Sequence, residues 1–205
     1  LEKFTQKEPS MSVTNFIGTI DDKDIVFRRF NTRIGLINTN NISFGLNALN
    51  PLSTGTFNYA FGVDALKSNT TGGTNIAVGW KALELNQIGD SNTVVGNASM
   101  MKNISGFQNS AFGDVVLREN IDGHNSAFGV GSLTGNNSGS FNTAFGYFAM
   151  SNLTAGDNNL AIGNQVQVPN STGSDQMNIA NEIYGLDLTN TASGKIGIGT
   201  TTPSA

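Results

Sequence analysis

The side chains best suited to acid–base chemistry in this sequence are scattered carboxylates: Asp64, Glu84, Asp90, Asp114, Glu119, Asp122 and Asp157. Two of them facing each other on adjacent turns of chain could cut a glycosidic bond, as paired carboxylates do in glycoside hydrolysis. No acid recurs at one repeat position in adjacent repeats, which speaks against a built pair. His124 is the only histidine. A catalytic triad or a histidine-rich metal centre needs more than that, and His124 falls at a variable turn, so it reads as a solvated loop residue. There is no cysteine, which removes disulfides and thiolate metal sites. Gly197-Ile-Gly199 lacks the strand–helix setting of a nucleotide loop. No catalytic residue, cofactor site or metal site is therefore expected, and the chain reads as a non-enzyme. Aromatic residues remain. Trp80 and Tyr147, each one residue after the same repeated glycine, are candidate receptor contacts on which a sugar ring could stack. The competing reading of these two, and of Tyr59, Phe107 and Phe148, is packing between chains or over a corner.

Whatever these side chains do, a repeat must position them. The phrase Asn-x-Ala-Phe-Gly, with swaps, recurs at Asn41–Gly45, Asn58–Gly62, Asn75–Gly79, Asn92–Gly96, Asn109–Gly113, Asn125–Gly129, Asn142–Gly146 and Asn159–Gly163. The step is seventeen residues except between Asn109 and Asn125, where it is sixteen. A fixed period this short predicts one segment stacked on copies of itself. Helix-pair repeats run longer and avoid two glycines per unit. The expected fold is all-β: a parallel β-solenoid of 17-residue coils.

Take the phrase glycine as position 0. Position −1 holds Phe44, Phe61, Val78, Val95, Phe112, Phe128, Phe145 and Ile162. Position +4 holds Leu49, Leu66, Leu83, Met100, Leu117, Leu133 and Met150. These two ladders are expected to fill the interior. Alternate side chains of a strand face opposite ways, so the Ala at −2 would lie on a second surface, packed tightly against another chain. Glycine recurs ten residues on, from Gly55 to Gly156, with Gly123 in the short repeat, so each coil has two glycine corners, and glycine at both is expected to allow positive φ. The asparagines suit a ladder that satisfies turn polar groups. Segments such as Asp64–Lys67 and Lys81–Glu84 are expected to form single helical turns. The missing residue is placed beside His124, at an exposed corner.

The repeat covers 41–163, flanked by an N-terminal β cap or connector over 1–40 and a C-terminal β connector or neck over 164–205. Asn15–Thr19 and Asp24–Phe30 read as strands joined by a turn at Asp21–Lys23, after a flexible lead-in over Glu2–Ser10. After Gly163 the wording decays, with an echo at Asn178–Asn181. The chain opens on Leu1 without a signal peptide, which reads as a fragment or a processed product. Charged residues are only 13%, with 25 glycines and a net charge of −4. That composition excludes a disordered chain and gives no basic footprint for nucleic acid. No apolar run is long enough to span a bilayer, so no membrane insertion by this segment is expected.

The wording at Asn58–Gly72 and Asn142–Gly156 resembles the head repeats of trimeric autotransporter adhesins, and still more the longer-coil repeats of phage tail fibres and related bacterial surface fibres. Asn178-Ile-Ala-Asn-Glu-Ile-Tyr-Gly185 and Gly194–Ser204 resemble the stretch that often precedes an intramolecular chaperone domain in such fibres. The resemblance implies a left-handed parallel β-roll in a homotrimer. It also implies an extracellular setting on a virion tail fibre or a bacterial cell surface, and attachment to a host cell-surface glycan or protein receptor. No chaperone domain or anchor barrel is present in this sequence. The alternatives are a polysaccharide-cleaving β-solenoid depolymerase and a trimeric autotransporter adhesin head.

Overall fold

The computed structural model describes residues 24–29, 31–186 and 195–198. The strand expected at Asn15–Thr19, the turn at Asp21–Lys23 and the lead-in before them lie outside the described residues. The first two strands, β1 (Ile25–Arg29) and β2 (Thr32–Ile37), form an antiparallel hairpin. Nine three-residue strands follow, one per step of the repeat. They are β3 (Ile42–Phe44), β4 (Tyr59–Phe61), β5 (Ile76–Val78), β6 (Thr93–Val95), β7 (Ser110–Phe112), β8 (Ser126–Phe128), β9 (Thr143–Phe145), β10 (Leu160–Ile162) and β11 (Met177–Ile179). β12 (Ile183–Leu186) and β13 (Lys195–Ile198) close the series.

β3 to β11 pair parallel and in register, like on like: Ala60 opposite Ala77, Ala77 opposite Val94, Phe61 opposite Val78. The fold is thus an all-β parallel solenoid. The coils run 41–57, 58–74, 75–91, 92–108, 109–124, 125–141, 142–158 and 159–175, and are numbered 1 to 8 below. Eight steps of about 4.8 Å carry the ladder about 38 Å along its axis. The step persists past Gly163 although the wording does not. Gln176 takes the place of the repeat asparagine, and Asn178 of the echo aligns with Ala161.

The interior differs from the sequence expectation in one respect that matters. The +4 ladder is buried from Leu49 to Met150, and the −2 residues lie with it in one core: Ala60, Ala77, Val94, Ala111, Ala127, Ala144 and Ala161. The −1 residues point the other way. Phe44, Phe61, Val95, Phe112, Phe145 and Ile162 are 36% to 56% exposed, and Val78 and Phe128 are half-buried. Alternation along the strand is as expected, but its sense is reversed, and the Ala face is the inner one. The reason is volume. A coil this thin already holds the +4 side chain, a third buried column at +3 (Ala48, Ala65, Ala82, Val116, Ala149, Val166), and asparagine amides. A methyl group fits the remaining space and a phenyl ring does not.

The expected helical turns do not form, and no helix occurs among the described residues. Positions +2 and +4 are both left-handed: Asp64 at φ 60° and Leu66 at 51°, Lys81 at 58° and Leu83 at 53°. A left-handed Leu costs about 1–2 kcal/mol. Full burial of its side chain contributes about 1.5–3 kcal/mol, which offsets the strain and which glycine could not supply. The glycines at position 0 have the expected positive φ, from 116° at Gly129 to 145° at Gly62, as does Gly156 at 101°, but most +10 glycines are needed for another reason. A Cβ on Gly72, Gly89 or Gly106 would lie 2.4 Å from the carbonyl oxygen of the next coil, so these glycines set the coil spacing.

Two asparagine files tie the coils internally. In the expected file, each backbone N–H bonds the Oδ1 of the previous coil's asparagine, as in Asn75 to Asn58 (3.1 Å), Asn92 to Asn75 (3.0 Å) and Asn109 to Asn92 (3.0 Å). A second file at +7 (Asn69, Asn86, Asn103, Asn120, Asn136) is equally buried. The two converge on one acceptor: Gly89 O takes Asn75 Nδ2 at 2.8 Å and Asn86 Nδ2 at 3.0 Å. The same fork holds Gly72, Gly106 and Gly139.

Both ends of the stack are covered by antiparallel strands, β2 on β3 and β12 on β11, with β13 on β12. At the first coil Arg33 completes the cover. Inside the stack, Ala65 O and Leu66 O accept N–H groups from the preceding coil. Coil 1 has no preceding coil, and the Arg33 guanidinium bonds Ala48 O (3.1 Å) and Leu49 O in its stead. An open edge would template further pairing.

Asn92→Ala should lower unfolding free energy by about 2–3 kcal/mol in urea titration, because it removes the acceptor of a buried N–H. Asn97→Ala, at an exposed position, should cost under about 1 kcal/mol. Equal effects would show that the internal file carries no special weight.

Candidate functional site

Five of the seven acids that sequence reading offered for catalysis, Asp64, Asp90, Asp114, Glu119 and Asp157, bond from one coil to the next, whereas Glu84 pairs within its own coil. Asp90 Oδ1 accepts the Gly73 N–H at 2.5 Å, Asp114 Oδ1 accepts the Asn97 N–H at 2.8 Å, and Asp157 Oδ1 accepts the Ser140 N–H at 2.8 Å. Asp64 accepts Asn47 Nδ2 at 2.8 Å, Glu119 pairs with Lys102 at 2.6 Å, and Glu84 pairs with Lys81 at 3.2 Å. Asp90 and Asp157 share a column but stand four coils apart, about 19 Å at the strand spacing. Glycoside hydrolysis uses carboxylates about 5–9.5 Å apart. No group of three or more metal-ligating side chains occurs among the described residues.

His124 is not the solvated loop residue that the sequence suggested. Its ring lies flat on Phe141, with centroids 4.5 Å apart and planes at 5°, and edge-on to Phe107 at 4.9 Å. The missing residue is also elsewhere. Asn109 and Asn120 both donate to Asp122 O, where other coils use the +10 glycine. Asp122, not Gly123, therefore takes that place, and Gly123 stacks on Phe107. The residue is lost between Asn120 and Asp122, before the corner.

The one feature that runs the length of the solenoid is the outward −1 file. Its rings stack on each other, Phe44 on Phe61 at 5.8 Å, Phe112 on Phe128 at 5.0 Å and Phe128 on Phe145 at 5.4 Å, and Phe27 of β1 packs tilted on Phe44 at 5.2 Å. Ring faces are thus taken by neighbouring rings and edges are left outward, which suits packing against another apolar surface better than stacking a sugar. At coils 1 to 3 the file is widened by Ile42, Tyr59 and Ile76 on one side and Leu46, Val63 and Trp80 on the other. At coils 4 and 5 it narrows between Thr93 and Ser110 on one side and Asn97 and Asp114 on the other.

Trp80 and Tyr147, the candidate receptor contacts, are both about half exposed and lie along this face. They are four coils apart, about 19 Å at the strand spacing, and do not form one platform. Lys81 Nζ sits 5.1 Å from the Trp80 ring, and Tyr147 packs edge-on against Phe148 at 4.7 Å. The outward file, the +3 column and the second asparagine file were all periodic in the sequence. The clue to the first was size: −2 is almost always small, whereas −1 varies between Phe, Val and Ile.

No family model, curated protein or solved structure matches this chain. Among the described residues no helix is long and apolar enough to cross a membrane.

The Asp64 carboxyl is held below the usual range, first by the Asn47 amide and then by Lys67, with partial desolvation acting against them. A lowered carboxyl contributes stability above its unfolded value, near 4, and loses it as pH falls through the folded value. The stability gap between wild type and Asp64→Asn should therefore shrink from pH 7 to pH 3 in urea titrations. The gap should be small throughout, since the pair is exposed.

Proposed function

We propose that this chain is a non-enzymatic fibre module, a trimeric β-roll of a phage tail fibre or bacterial surface fibre that serves attachment to a host or cell surface. The observation that carries this reading is the outward apolar file. It follows the whole solenoid and stays part-exposed in the isolated chain, and continuous apolar surface of that kind marks an interaction face. A copy of the same chain offers the same file at the same strand spacing, so coil can meet coil along the full length. Burying it stabilises the assembly by about 25 cal/mol per Å². The choice of three copies, the extracellular location and the attachment role come from the resemblance of the repeat wording. Carboxylates held in coil-to-coil bonds favour a structural module over a depolymerase. Three parallel rods would present weak contacts together and raise their combined affinity.

Light scattering on the full chain should give three times the 21.5 kDa chain mass. Phe112→Asp should dissociate the assembly while leaving the coil fold intact by circular dichroism. A well-folded monomer at micromolar concentration would overturn the reading. Trp80→Ala should weaken the assembly, since Trp80 lies on the apolar face. Loss of cell binding with the assembly intact would instead assign it to a receptor.

A further inference from the structure

We infer that the contact between coil 4 and coil 5 is a weak joint, the place where the stacked coils part first. Three observations meet there. Coil 5 is the sixteen-residue coil, and Asp122 takes the place that glycine holds in the other seven coils. The +7 asparagine file breaks at the same contact. Asn86 Nδ2 reaches Asn69 Oδ1 and Asn103 Nδ2 reaches Asn86 Oδ1, but Asn120 Nδ2 turns to its own Asp122 O, two residues on. Asn103 Oδ1 is left buried without a hydrogen bond, as is Asn136 Oδ1 where the file ends against Leu153. An unpaired buried acceptor costs about 1–3 kcal/mol.

The backbone repeats the pattern. On this side of the solenoid, Thr70, Thr71 and Gly72 donate to Gln87 O, and Gln87 and Ile88 donate to Ile104 O. Farther along, Ile121 donates to Asn137 O, Asn137 and Ser138 to Thr154 O, and Thr154 and Ala155 to Ser171 O. Ile104 and Ser105 donate to no carbonyl of coil 5. The other asparagine file runs on through this contact, with Asn109 N–H and Nδ2 both donating to Asn92 Oδ1. One missing residue thus interrupts the +7 file and the backbone bonds beside it at a single contact. A rod stacked coil on coil opens at its weakest contact, so bending or partial unstacking is localised between Asn103 and Asn120. The inference is independent of the proposed assembly, because it compares contacts within one chain.

Hydrogen exchange on the full chain tests it. The Met100 and Lys102 amides bond coil 5 at Val116 O (2.9 Å) and Arg118 O (3.1 Å). Leu83 and Leu85 make the equivalent bonds to coil 4, at Ser99 O and Met101 O, both 3.1 Å. Exchange at Met100 and Lys102 should be about tenfold faster or more than at Leu83 and Leu85. Equal rates in the wild-type protein overturn the inference without any variant. Inserting one Ser between Ile121 and Asp122 restores seventeen residues and should bring the two pairs within about twofold of each other. A folded insertion variant that keeps the difference also overturns it. Deleting Ile88 should move the fast site to the Leu66 and Ser68 amides at the contact of coils 2 and 3, and no change there counts against the joint.

Discussion

The structure depends on a carbonyl that has nowhere else to go. Where coils 2 to 6 turn at the +10 place, the backbone oxygen takes two asparagine amides from within its own coil. A buried carbonyl left alone would cost about as much as a lost core contact. The two amides satisfy it, and their own oxygens accept from the next coil except at Asn103 and Asn136. Polar satisfaction is thereby passed along the axis, and the coils are held in one register. The glycine at the same point keeps the coils close enough for this to work. A side chain there would collide with the neighbouring carbonyl.

With the polar interior fixed, the apolar interior is what space remains. Leu or Met at +4 fills it despite a left-handed backbone, and small residues at −2 and +3 complete it. The large −1 residue is then forced outward. This links the inner amides to the outer surface. A thin coil crossed by asparagine cannot enclose its phenyl rings, so it carries them as an external apolar file that suits lateral association.

The period, the parallel stacking and the +4 ladder could be read directly, because Asn, Gly and Leu recur at fixed spacing. The direction in which Phe61 points could not. Alternation says that Ala60 and Phe61 face opposite ways but not which way is inward, and ordinary hydrophobicity favours the larger residue. The constancy of small residues at −2 was the available signal of a volume limit. Asn69, Asn86 and Asn103 were just as periodic as Asn58 and Asn75, but they sit among Thr, Gly and Ser and look like ordinary turn chemistry. The environment of His124 was hidden for a different reason. Its ring partners lie seventeen residues away on each side, and the shortened coil shifts the alignment by one. The register there depends on which residue was lost, and that shows only in the hydrogen bonds to Asp122 O.

The most direct test of the shared carbonyl is a double-mutant cycle on Asn75 and Asn86 around Gly89 O. Either single change to Ala leaves the oxygen one donor, and the pair of changes leaves none. Urea unfolding should show the double variant losing more than the sum of the singles by about 1–2 kcal/mol. Additive losses, within about 0.5 kcal/mol, would contradict the account.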